Sequence, residues 1–166
     1  MEETKTLEIL KRAILLETRG KAFYMKVAEQ AESDAVKAFF EMMADEENGH
    51  IKILSDQFKT YNAEKKFAPR IYDDKAGSAA SGVLNKEIKG KIAAADFEAA
   101  AISAAMSMEE SAIKLYSERA DAATDPEEKA LYKWLAEWET KHLEALAAMD
   151  RELTEAVWHD NNFWPL

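Results

Sequence analysis

Two Glu-x-x-His motifs, Glu47-Asn48-Gly49-His50 and Glu139-Thr140-Lys141-His142, hold the residue types in this chain best suited to chemistry. A lone glutamate precedes each at the same distance. Glu17 stands thirty residues before Glu47, and Glu109 thirty before Glu139. Residues three apart on a helix share a face, so each Glu/His pair can reach one ion. Oxygen and imidazole donors suit iron or manganese, and bridging carboxylates can hold two ions roughly 3.5–4 Å apart. Four carboxylates with two neutral imidazoles carry four negative charges, which two divalent ions cancel. Without metal, some of those carboxylates would stay protonated inside a bundle. The spacing therefore points to a dinuclear metal site with Glu17, Glu47, His50, Glu109, Glu139 and His142 as donors. One Glu-x-x-His alone would be weak, but the chain has only three histidines and two of them carry Glu at position −3.

The elements that must position these residues repeat. Sliding residues 13–54 by 92 positions onto 105–146, without a gap, matches Ala13/Ala105, Glu17/Glu109, Tyr24/Tyr116, Ala28/Ala120, Lys37/Lys129, Ala44/Ala136, Glu47/Glu139, His50/His142 and Leu54/Leu146. Apolar stripes at helical period predict four helices, about 7–32, 35–61, 97–123 and 126–156. Each stripe is apolar except where a donor interrupts it. Ser33-Asp34 and Asp96 read as helix starts, and Asp125-Pro126-Glu127-Glu128 reads as an N-cap with proline at the first helical position and a capping box. Residues 62–95 form a crossover in which Val83 to Ala94 has room for a short helix. Residues 157–166 form an aromatic tail expected to dock on the bundle or on a second subunit. Two hairpins joined by a long crossover, within one domain spanning 1–166, predict an all-α four-helix bundle of ferritin-like connectivity.

Residues beside the donors have expected places. Glu46 and Glu110 are one residue out of register, about 100° around the helix, and should point away from the site. Tyr24 and Tyr116 each lie seven residues after a donor Glu and can hydrogen-bond a carboxylate. Asp45 and Glu137 read as solvated. His159, with no Glu at −3, reads as structural, and Trp134 and Trp138 as packing residues.

Composition excludes several classes. The net charge of −10 argues against nucleic acid, whose binding rests on neutralising phosphates with Lys and Arg. The absence of cysteine rules out disulfides, thiolate chemistry and a Cys-bound iron within this chain. No apolar run is long enough to span a bilayer, and residues 1–5 lack an apolar signal region, so a cytoplasmic location is expected.

The pattern Glu17…Phe23-Tyr24, Glu47-x-x-His50, Glu109…Leu115-Tyr116, Glu139-x-x-His142 resembles the rubrerythrin family of the ferritin-like superfamily, over roughly residues 7–156. The resemblance implies a non-haem di-iron centre that reacts with hydrogen peroxide or dioxygen, in a homodimer or larger assembly, with the six residues above as iron ligands. Two departures stand out. Rubrerythrins proper carry a rubredoxin domain, which this cysteine-free chain does not contain, so the implied electron donor is external, such as a separate rubredoxin. The family tends to place a further glutamate one turn after the first on the third helix, where this chain has Ala112. The competing expectations are a ferritin-type iron oxidation and storage protein, a di-manganese catalase-like enzyme on the same donors, and a metal-free helical interaction module.

Overall fold

In the computed structural model, residues 2–72 and 96–160 are described, and they form four α-helices: α1 (Glu2–Gln30), α2 (Asp34–Glu64), α3 (Asp96–Ala122) and α4 (Pro126–Asp160). The fold is an all-α four-helix bundle. Helix α1 packs along α2 and α3 along α4, and the two hairpins meet through α1 and α3. Among the described residues no helix is long and apolar enough to cross a membrane.

The helix ends follow local chemistry. Asp125 Oδ1 accepts from the backbone N–H groups of Glu127 (2.8 Å) and Glu128 (3.2 Å), satisfying two of the free donors at the start of α4. Ser33 occupies the N-cap position of α2, but its side chain makes no capping hydrogen bond. Helix α2 ends at Glu64 and is capped by Lys65, whose backbone is left-handed (φ 59°) and whose N–H bonds the Tyr61 carbonyl. Helix α1 begins at Glu2, ahead of the expected Leu7. Helix α4 runs to Asp160, past the expected Ala156, because neither Gly nor Pro interrupts residues 156–160. The first part of the expected tail is therefore helix. The short helix expected within Val83–Ala94 lies outside the described residues, as do residues 161–166.

The core falls into two apolar clusters. One gathers Val36, Phe39, Phe40, Met43, Ile102, Leu146 and Met149. The other gathers Leu10, Leu54, Tyr116, Leu131, Leu135, Trp134 and Trp138. Between them lie six buried polar residues, Glu17, Glu47, His50, Glu109, Glu139 and His142, each at most 3 % exposed. Burying so many ionisable groups between two apolar layers is costly unless they neutralise one another or hold cations.

Candidate metal centre

The bundle brings all six expected donors together. Each of the four helices turns one glutamate inward, and α2 and α4 add a histidine one turn later. They form two overlapping groups: Glu17, Glu47, His50 and Glu139, and Glu47, Glu109, Glu139 and His142. Within each group one donor atom per residue lies within 4.8 Å of the others. Glu47 and Glu139 belong to both groups. Each group thus has one Glu and one His of its own and shares two carboxylates with the other.

Both imidazoles face the carboxylates through Nδ1. His50 Nδ1 lies 3.1 Å from Glu17, 3.3 Å from Glu47 and 3.0 Å from Glu139. His142 Nδ1 lies 3.0 Å from Glu139, 3.4 Å from Glu109 and 3.5 Å from Glu47. Glu139 Oε1 is buried and makes no hydrogen bond among the described residues; it faces His50 Nδ1 at 3.0 Å. A buried set of oxygen and nitrogen donors that converges around the two Nδ1 atoms fits a pair of hard or borderline cations.

Tyr24 and Tyr116 both bind carboxylates, and they do so crosswise. Tyr24 on α1 donates its O–H to Glu109 on α3, and Tyr116 on α3 donates to Glu17 on α1. Burial, with the charge of the facing carboxylates, pushes both phenols well above their ordinary range, so both remain donors.

The electrostatics show how protons balance the cluster when it holds no metal. Burial first, then the charge of Glu47, raises Glu17 to about 7. Burial and the charge of Glu139 raise Glu109 well above the usual carboxylate range. Burial and the Glu139 charge act upward on Glu47 too, but hydrogen bonds from Glu17, His142 and His50 outweigh them and lower it. Burial likewise opposes ionisation of Glu139, yet the two imidazoles hold it at about 2. Burial disfavours the charged forms of His50 and His142, but Glu139 and the neighbouring carboxylates outweigh it and raise both well above 6.5. Two protonated glutamic acids, two carboxylates and two imidazolium ions sum to zero.

One expectation is overturned. Glu46 does not point away from the site. Its Oε2 lies 2.6 Å from His142 Nε2 and 3.3 Å from the Trp138 indole nitrogen. Helix α2 is close enough to α4 for a side chain 100° off the inward line to reach across. Trp138 thus does more than pack, since its N–H helps to fix Glu46. The pattern has no counterpart in the other half: 92 residues after Glu46 stands Trp138 itself, so an argument from the repeat could not find it. Glu110, Asp45 and Glu137 are exposed, turned away from the cluster.

Ala112, which stands where the family tends to carry a further glutamate, lines a void of about 20 Å³ with Gly20, Met108 and the four glutamates. That is room for about one water-sized molecule. A Cβ built on Gly20 would lie 3.7 Å from the Glu47 carboxyl carbon, an ordinary packing distance, so the position could hold a small side chain against Glu47.

The family model described as Rubrerythrin matches residues 8–150. No curated protein and no solved structure matches the chain.

Proposed function

The chain belongs to the rubrerythrin family, and on that premise we propose that it is a non-haem di-iron oxidoreductase that reduces hydrogen peroxide, or dioxygen, with electrons from an external donor. The observation that carries this reading is the sharing of Glu47 and Glu139 between two buried donor groups. Two carboxylates common to both groups are what a bridged pair of ions requires. Glu17 and His50 would complete one ion's shell, and Glu109 and His142 the other's.

When bound, the iron pair supplies the two electrons that cleave an O–O bond to water. The chain's own residues do the rest. Tyr24 and Tyr116 hold Glu109 and Glu17 by hydrogen bonds from the opposite hairpin. Glu46 fixes His142 with Nδ1 turned to the carboxylates. The two apolar clusters keep water from either end of the site, and the void beside Gly20 and Ala112 admits only a small oxidant. These residues contain no cysteine and so no Cys-bound iron of their own; the electrons reach the site from a donor outside them, such as a rubredoxin or a small carrier.

The test is to load the protein anaerobically with Fe(II), remove the excess, and count metal before adding peroxide. Two irons per chain and peroxide consumption beyond a free-iron control support the reading. Peroxide consumption no faster than that control would refute the oxidoreductase assignment, and no specific uptake would refute the metal site itself. The same donors accept manganese, so loading with Mn(II) in parallel, followed by an assay for oxygen release, separates a catalase-like activity.

A further inference from the structure

The void beside Gly20 and Ala112 is lined by all four glutamates of the cluster and by neither histidine. It therefore lies on the carboxylate face of the site. The imidazole side is packed: the His50 ring meets Trp134 at 5.4 Å and Trp138 at 5.2 Å edge to face, and Glu46 covers His142 Nε2. The other walls of the void come from two helices, Leu16, Gly20 and Tyr24 on α1 and Met108 and Ala112 on α3. These helices pack on each other far less than either packs within its own hairpin. Leu16 and Met108 are half-buried, so each reaches solvent as well as the void. Gly20 and Ala112, one turn further along, are buried.

The 92-residue offset pairs these walls, Leu16 with Met108 and Gly20 with Ala112. Each hairpin thus sets a small residue one turn after a long apolar one, and both small residues face the same void. Packing does not demand the glycine. A Cβ on Gly20 would lie 3.7–3.9 Å from Glu47 atoms, an ordinary distance, and alanine is the better helix residue. What the glycine leaves is space against a donor carboxylate. At about 20 Å³ that space holds about one water-sized group, so a single methyl would take much of it.

Resting on the reading of the cluster as an oxidant-reducing centre, we propose that the seam between α1 and α3 is the oxidant's way in. Leu16 and Met108 form its mouth, and Gly20 and Ala112 hold open the space at its inner end. The seam sets a size limit. Hydrogen peroxide and dioxygen reach the carboxylate face, whereas alkyl hydroperoxides are refused. The O–O end of an alkyl hydroperoxide is no larger than hydrogen peroxide, so the discrimination falls on its carbon tail, which would have to displace Leu16 and Met108.

The experiment compares iron-loaded wild type, Gly20→Ala and the double variant Leu16→Ala/Met108→Ala. Iron per chain and melting temperature are measured first, then azide binding to the oxidised form by absorbance, then rates with hydrogen peroxide and cumene hydroperoxide. The wild type should consume hydrogen peroxide at least about tenfold faster than cumene hydroperoxide, and the double variant should narrow that ratio about tenfold. Gly20→Ala should keep its iron and melt no lower than the wild type, yet bind azide about tenfold more weakly. A glycine kept only for packing would instead lower the melting temperature and leave azide binding unchanged. Should Gly20→Ala hold less iron, the two peroxide ratios decide; should the double variant fail to fold, azide binding decides. If the wild type takes up no iron or consumes no peroxide, the functional reading fails and the entrance with it. If it consumes hydrogen peroxide but cumene hydroperoxide equally fast, the size limit is overturned and the function stands. The same holds if Gly20→Ala binds azide, or the double variant discriminates, like the wild type.

Discussion

Glu46 takes the Nε2–H of His142 at 2.6 Å, while the corresponding nitrogen of His50 has no hydrogen-bond partner among the described residues. The two halves of the site are thus alike in donors and unlike in support. A carboxylate behind a ligating imidazole fixes its tautomer and raises its basicity. Glu46→Ala should therefore weaken metal binding about 10–100-fold in the half that contains His142 and leave the His50 half close to wild type. A metal titration should resolve two unequal sites in the variant. Equal weakening of both, or of neither, would contradict the role given to Glu46.

Glu139 is shared by both donor groups, whereas Glu17 belongs to one. Glu139→Ala should lower the metal content of both positions, and Glu17→Ala mainly of one. Counting bound iron after gel filtration distinguishes them. If both variants retain the same amount, the shared-carboxylate arrangement is wrong.

The crossed hydroxyls of Tyr24 and Tyr116 tie the two hairpins together through Glu109 and Glu17. Removing one leaves a buried carboxyl oxygen without its donor, a loss of about 1–3 kcal/mol. Tyr24→Phe and Tyr116→Phe should each lower the stability of the metal-free protein by that order. Urea unfolding in chelator is the measurement, and two variants as stable as wild type would show the bonds to be dispensable.

The pH dependence of the metal-free protein has a definite sign. Glu17 is raised to about 7 and Glu109 well above 4.5, so both favour folding while protonated. Their contribution is complete below 4.5 and is lost as pH rises, through about 7 for Glu17. His50 and His142, raised well above 6.5, lose theirs at higher pH still. Glu139, held at about 2, acts oppositely: its contribution is present above 4.5 and is lost as pH falls toward 2. Urea midpoints measured in chelator should therefore fall from pH 5 to 7 to 9. Midpoints that rise over that interval would contradict the proton balance.

The same protons must leave when metal enters, because ligating imidazole is neutral and ligating carboxylate ionised. Loading with two divalent ions near pH 6 should release about four protons per chain, fewer above pH 7 as Glu17 ionises. Calorimetry in buffers of different ionisation enthalpy gives the number. A release near zero would mean that the ions bind elsewhere.

The cluster of four glutamates and two histidines was legible in the sequence because it interrupts helical stripes. A helix that must bury one face shows any polar residue on that face as an exception, and the 92-residue offset made the exception appear twice. The bundle and its four helices were readable for the same reason, since local periodicity and capping act over a few residues. The far end of α4 was not, because the aromatic composition after Ala156 resembled a docking tail although neither Gly nor Pro falls within residues 156–160.

What only the tertiary structure decided are the relations between helices. Which hydroxyl meets which carboxylate depends on where α1 crosses α3, and Tyr24 meets Glu109 rather than the glutamate of its own helix. Glu46 reaches His142 because α2 and α4 lie within one side-chain length of each other. Gln57 meets Ala68 through two hydrogen bonds because the chain after α2 folds back along that helix. Spacing along one helix sets which side chains share a face. The contacts between faces depend on interhelical distance and rotation, which arise from packing the whole core and are encoded in no short stretch of residues.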